Sequence, residues 1–264
     1  MATTKNLRSG GIDRSRIADQ IFEELRDDIV LGKIVRGEKL PSERELANQY
    51  GVSGPTVREA IRGLTLLGLV DVKHGSGAFV TANSEPLIAR SLGAVIQLGN
   101  LGVVEVLGVL GALNEYAAGL AAVSATREDH ARLEAALVIL DQATTAETAA
   151  EAAREFHGAV AASAHNPLLA ALCGFLTNVQ IELGAEFIGT STERWKKVFA
   201  KLRPMRAALI DAIIRRDRDA ALGLAREFHA KSVQLLTSMP KAKEVRLADP
   251  KLRQLLSSMI GRVK

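Results

Sequence analysis

A single cysteine, Cys173, is all the thiol the chain has. That excludes an internal disulfide and suits a reducing compartment. Aromatic residues make up only 4% of the sequence, while Ala and Leu are abundant, a balance that favours helices over sheets. Long uninterrupted apolar runs are also missing. The most apolar stretch, Leu92 to Leu113, is broken by Gln97, Asn100 and Glu105 and carries five glycines. A membrane span needs about 20 mostly apolar residues, so a buried core helix is expected there and no membrane partner. The opening MATTKNLRSGGIDRSR has no apolar core of the kind a secretory leader carries, which points to a cytoplasmic protein. Neither sign of charge dominates: the net charge is +4, and residues 1–80 hold twelve Lys/Arg against eleven Asp/Glu. Any affinity for nucleic acid must then come from where charges sit, not from their sum. Enzyme signatures are absent as well. His74-Gly75-Ser76-Gly77 looks like an esterase glycine loop but has no nucleophile elbow, and Gly99-x-x-Gly102 lacks the strand and spacing of a dinucleotide fingerprint. No enzyme is expected.

What the chain does have is concentrated between Leu40 and Val80. Ser42 followed by Glu45 is an S-x-x-E capping box that starts a helix at Glu43 and carries it to Gly51. Ser53 caps a second helix with Gly54 and Pro55 in its first turn, where a missing N–H costs little. Val57, Ala60, Ile61, Leu64 and Leu67 recur at helical spacing, and Arg58 and Arg62 share another face four residues apart. Leu69 to Lys73 alternates as a strand, His74 to Gly77 turns, and Ala78 to Thr81 returns. Two short helices, a tight turn and a β-wing make a winged helix-turn-helix, whose second helix is suited to a DNA major groove.

The rest of the chain reads as helices. Residues 1–13 form a polar tail, and Ile17, Ile21, Leu25 and Ile29 mark an amphipathic helix from Arg14 to Gly32. The reading head spans 14–81, a polar linker 82–86, and an all-helical domain 87–240, with helices broken at Gly99–Gly102, Thr126, Asn166-Pro167 and near Asp217. Residues 241–264 form a basic tail with one further helix at 249–260. The expected fold is mostly α: an N-terminal winged helix-turn-helix with a small β-wing, then a C-terminal helical bundle.

The head resembles the GntR family of bacterial transcription regulators. Leu40-Pro41-Ser42-Glu43-Arg44-Glu45-Leu46-Ala47, Val52-Ser53, Val57-Arg58-Glu59-Ala60-Ile61, Leu66-Leu67-Gly68-Leu69-Val70 and the wing His74 to Val80 carry the likeness. The helical half looks like the FCD effector domain of the FadR subfamily, through Glu155-Phe156-His157, Asn166-Pro167-Leu168-Leu169 and Asp211 to Asp217. The resemblance implies that Arg44, Ser53, Thr56, Arg58 and Arg62 face double-stranded operator DNA and that His74 and Gly75 enter the minor groove. Gly54 stands where an arginine is usual in the family, so one contact is missing. The resemblance also implies a homodimer on a palindrome.

Many FCD domains hold a metal through an Asp, a His four residues later and two further His. Those positions fall here on Ala153, His157, Arg206 and Phe228, the last beside His229. One donor of four offers too little for a tight site, so no metal cofactor is expected; Zn²⁺ or Ni²⁺ on His157 and His229 would require a shifted alignment. An arginine that often faces the effector is replaced by Leu107 or Leu110, which leaves Arg206 as the anchor for an anion. His157, Arg206, Phe228 and His229 are therefore the expected effector site, for a largely apolar anion such as a fatty acid or acyl-CoA. The resulting expectation is a repressor released from its operator by a small molecule. A metal-dependent sensor of small organic acids and an architectural DNA-binding protein are the alternatives. His157 fits a core histidine as well as a ligand. Outside these sites, His130 and His165 read as surface or turn residues, and Trp195 as a partly buried helix residue.

Overall fold

The structure, a computed structural model, describes residues 9–81, 85–189 and 191–238. These form ten helices and one two-stranded sheet, so the mostly-α expectation holds. The chain divides into two compact units between Leu87 and Ile88.

The first unit opens with α1 (Ser9–Val30), which begins inside the stretch expected to be a tail. Ile21, Leu25 and Ile29 are buried on its inner face as their spacing requires. Helix α2 (Glu43–Tyr50) starts at the expected capping box: Ser42 Oγ accepts from the Glu45 N–H, and the Glu45 carboxylate accepts from the Ser42 N–H at 2.7 Å. Helix α3 (Gly54–Leu66) buries Val57, Ala60, Ile61 and Leu64 against α1. The two helices approach closely at Gly63, where a Cβ would lie 2.8 Å from the Phe22 ring. Strands β1 (Val70–Lys73) and β2 (Gly77–Val80) pair antiparallel with Val70 opposite Val80. Gly75 and Gly77 adopt φ of +72° and +105° at the wing tip, a region that L side chains rarely enter.

The second unit contains α4 (Glu85–Leu98) from Ile88 onward, α5 (Val103–Ser124), α6 (Arg127–Gln142), α7 (Ala146–Ala162), α8 (Pro167–Ile188), α9 (Thr192–Ile214) and α10 (Arg218–Thr237). Helix α4 takes in Glu85 and Pro86 of the expected linker, and the helix expected at 249–260 lies outside the described residues. Four of these helices have starts fixed by a local side-chain cap. Thr126 with Asp129 and Thr145 with Thr148 close capping boxes, while Asn166 and Asp217 accept from the N–H three residues on.

Helix α5 is central and packs on α10, α8, α7 and α9. Its Gly111 and Gly119, eight residues apart and so on one face, receive His229 and Leu222 of the antiparallel α10. Ala117, Ala118, Ala121 and Ala122 are fully buried around them. At the far end Arg216, at a left-handed φ of +59°, donates to the carbonyls of Val123 (2.9 Å) and Ala125 (3.0 Å). Those are the carbonyls a helix end leaves without partners. By length and composition α5 and α8 could each cross a bilayer, but both contribute to the packed core of this unit.

Candidate nucleic-acid interface and effector cavity

On the first unit, α3 is held by Val57, Ala60, Ile61 and Leu64 with its opposite face outward. Arg58 and Arg62 are exposed on that face, as are Arg44 on α2 and Ser53 at the turn. Arg58 Nε lies 3.2 Å from the Glu43 carboxylate, an exposed ion pair. Thr56 differs from expectation. It is only 7% exposed, and its hydroxyl lies 2.9 Å from Ser53 Oγ. One turn of helix separates Thr56 from its neighbours on the apolar face, so it steadies Ser53 instead of projecting outward. Ser53 in turn makes no side-chain bond to the helix N-terminus.

His74 and Gly75 sit exposed at the wing tip. Behind them are two cations that the sequence reading missed. Lys73 and Lys39 place their ammonium groups 5.1 and 6.0 Å from the Phe79 ring centroid, and Lys39 bridges to Phe79 from outside the hairpin. Lys73 adjoins the wing motif and could have been read from it. Lys39 is 40 residues from Phe79 and needs the fold.

On the second unit, His157 of α7, Arg206 of α9 and Phe228 of α10 line one apolar cavity. His157 stacks on Phe228 with ring centroids 5.6 Å apart, and Phe156 meets Phe228 edge-on. Burial, helped by the nearby Arg206 and His229 charges, holds the His157 imidazole neutral down to about 4. Arg206 is 3% exposed. Its Nη2 donates to the Phe199 carbonyl at 2.7 Å, its guanidinium lies 5.0 Å over the Phe199 ring, and its Nε has no partner. Burial lowers its pKa to about 10. Pro204, within α9, cannot donate to the carbonyl of Ala200, so the helix is loosened where Arg206 folds back.

His229 does not line this cavity. It packs on Gly111, with Nε2 buried and without a partner, because the α5–α10 contact draws it to the other side of α10. Burial lowers its pKa, opposed by the Leu107 carbonyl. Trp195 is more deeply buried than expected; its Nε1 donates to the Gly189 carbonyl at 2.8 Å and its ring walls the cavity.

Of the two other histidines, His165 is an exposed turn residue as expected, and His130 is not at the surface. His165, at a φ of +49°, is 2.8 Å from Asp129. That contact, after the backbone and hydroxyl bonds of Thr126, helps hold the Asp129 carboxyl down to about 2. His130 is half-buried, and its Nε2 has no partner. Cys173 is buried as a small hydrophobe, and burial pushes its thiol up to about 11.

The residues present do not fit the metal of FCD domains. Of the four ligand positions only His157 is a donor, and Arg206 puts a cation in the third place. Among the described residues no three His, Cys, Asp or Glu side chains come together to hold an ion.

A winged helix-turn-helix joined in one chain to an all-helical, cavity-bearing unit defines a two-module class of protein. Comparison with known proteins gives the family. Residues 17–80 match the family described as bacterial regulatory proteins, gntR family, and residues 105–231 match the FCD domain. The chain belongs to the GntR family, in its FCD-bearing form. It is 36% identical over 137 residues to an uncharacterised HTH-type transcriptional regulator of Mycobacterium tuberculosis, covering 51% of this chain and 56% of that protein. It is 35% identical over 151 residues to the Uxu operon transcriptional regulator of Escherichia coli, covering 56% and 58%. The chain thus spans just over half the length of these curated relatives. A solved GntR structure from Streptococcus agalactiae shares the fold over 84% of this chain and 99% of its own, with a TM-score of 0.60 and 20% identity.

Proposed function

We propose that the protein is a cytoplasmic, homodimeric, DNA-binding transcriptional regulator whose grip on a palindromic operator is weakened by a small anionic molecule bound in its helical unit. The observation that carries this reading is the outward face of α3, with Arg58 and Arg62 exposed and a basic wing beside it. A guanidinium reads guanine O6 and N7 bidentately or holds a phosphate, and Arg44, Ser53, His74 and Gly75 lie where neighbouring contacts fall. The regulators named for the Uxu operon and the Exu regulon of Escherichia coli lend support as relatives.

The mechanism is linkage. Two reading heads must hold one half-site spacing, and an effector that favours another arrangement weakens DNA binding by the same coupling free energy. A typical coupling of about 1–3 kcal/mol changes affinity ~5–150-fold. Arg206 supports an anionic effector, and its place at a ligand position argues against the metal-dependent rival. An apolar stripe supports the homodimer: Val109, Tyr116 and Val123 recur every seven residues along α5 and are all exposed, and Leu98 is 87% exposed at the end of α4.

Selection from random duplexes with the full chain is the test. A palindromic consensus is expected, bound at least about 10³-fold tighter than random DNA. Equal affinity for both would replace this reading with an architectural one. In a reporter strain carrying that consensus, expression should rise when the regulator is deleted if it represses.

A further inference from the structure

Of the two arginines exposed on α3, one is held in place. Arg58 sets its Nε 3.2 Å from the carboxylate of Glu43, the first residue of α2. Its Nη2 lies over Gly54, one turn back. A Cβ built on Gly54 would stand 3.9 Å from that nitrogen and within 4 Å of nothing else. This follows the lean of helical side chains towards the N-terminus. Arg62, one turn further along the same face, forms no ion pair among the described residues.

Neither Gly54 nor the ion pair is explained by the fold. Gly54 does not adopt a left-handed φ and no side chain crowds it, so neither backbone strain nor packing calls for glycine. The Glu43–Arg58 pair is exposed at both ends, and such pairs add little to stability. What the two do together is orient one guanidinium. Glycine leaves the first turn of α3 bare, and the carboxylate from α2 draws the arginine across it. The N–H on Nε is on the Glu43 side, and the four N–H groups of the two terminal nitrogens remain for DNA. A guanine edge takes two donors at a fixed spacing, whereas a phosphate accepts a cation from many directions. A guanidinium held in one orientation therefore suits a base, and an untethered one suits the backbone.

We propose that Arg58 is the base-reading arginine of α3 and that Glu43 and Gly54 are its positioning residues, which together decide the operator base pair it reads. Arg62 holds a phosphate. This rests on the regulator reading and adds to it a physical origin for sequence preference in each half-site.

The experiment measures, for the full chain, the affinity for the selected operator and for each of its single-base-pair variants. Arg58→Ala should lower the preference at one base pair per half-site by about 5–150-fold, the range one bidentate contact supplies, and leave the other positions alone. Glu43→Gln and Gly54→Leu should each lower the preference at that same base pair by at least about twofold, the lower bound for coupled neighbours. Gly54→Ala, whose Cβ meets Arg58 at an ordinary contact distance, should keep it. In an Arg58→Ala background neither Glu43→Gln nor Gly54→Leu should change that position further. Arg62→Ala should weaken binding to every duplex alike and reduce the salt slope by about 1. Unchanged base preferences in Glu43→Gln and Gly54→Leu overturn the proposal. An even loss at every position does so too, since that marks the two residues as structural only. So does an Arg58→Ala profile with no single affected base pair, or an Arg62→Ala loss confined to one. In all of these cases a wild-type protein that prefers its operator keeps the regulator reading. A wild-type protein with no preference among sequences overturns that reading as well.

Discussion

Glu43 and Arg58 meet across the helix-turn-helix at 3.2 Å, and a DNA phosphate would compete with Glu43 for the same guanidinium. Arg58→Ala should cost about 1–3 kcal/mol at the cognate site, as a good bidentate contact does. Glu43→Gln should act the other way, tightening DNA binding because the arginine is released and a negative charge leaves the interface. Fluorescence anisotropy on one duplex checks both signs; an Arg58→Ala protein with unchanged affinity would show that α3 docks by another face. At Gly63 the issue is space. Alanine there gains about 1 kcal/mol of helix propensity, but its Cβ would sit 2.8 Å from Phe22. Overpacking of this kind costs about 1–3 kcal/mol, so Gly63→Ala should lower the urea midpoint of the DNA-binding unit. His157 gives a pH dependence. Its imidazole titrates near 6.5 when unfolded and near 4 when folded, so unfolding takes up protons between those values. Its contribution is complete above pH 6.5 and is lost as pH falls to about 4, with His229 shifted in the same direction. Urea midpoints at pH 7 and pH 5 should differ, and His157→Phe should shrink the difference.

At the scale of elements, what was readable in the sequence was local. The capping box at Ser42, the helix breaks at Thr126 and Asn166-Pro167, and the 3.6-residue spacing of α3 each depend on neighbours within a turn, and each element stands where those signals put it. Thr56 faces inward where an outward residue is expected, because one position on a helix decides between the two faces. The effector site was only partly legible. His157, Arg206 and Phe228 come from three helices, and the resemblance supplied them. Trp195 and Phe199, as walls of the cavity, and His229, as a residue turned away towards Gly111, follow from helix contacts that no spacing records. The apolar stripe of α5 belongs at this scale too. If two copies meet there, Val109→Glu or Tyr116→Glu should leave the unit folded and give a monomer in sedimentation velocity. Unchanged mass would move the interface elsewhere.

For the whole molecule, the division of labour matters most. One unit holds the reading head and the other the cavity, and each has its own apolar core. Linkage demands that they communicate, and the quantity that must change is the separation of two reading heads. Cys173 makes that separation measurable. It is the chain's sole thiol, buried, with its pKa raised to about 11, so thiol reagents at neutral pH should pass it by. A cysteine placed at His74 would then carry the only spectroscopic label on each chain. In a two-chain assembly that is one pair of spins or dyes, one distance, and no native residue to remove before recording it with and without ligand.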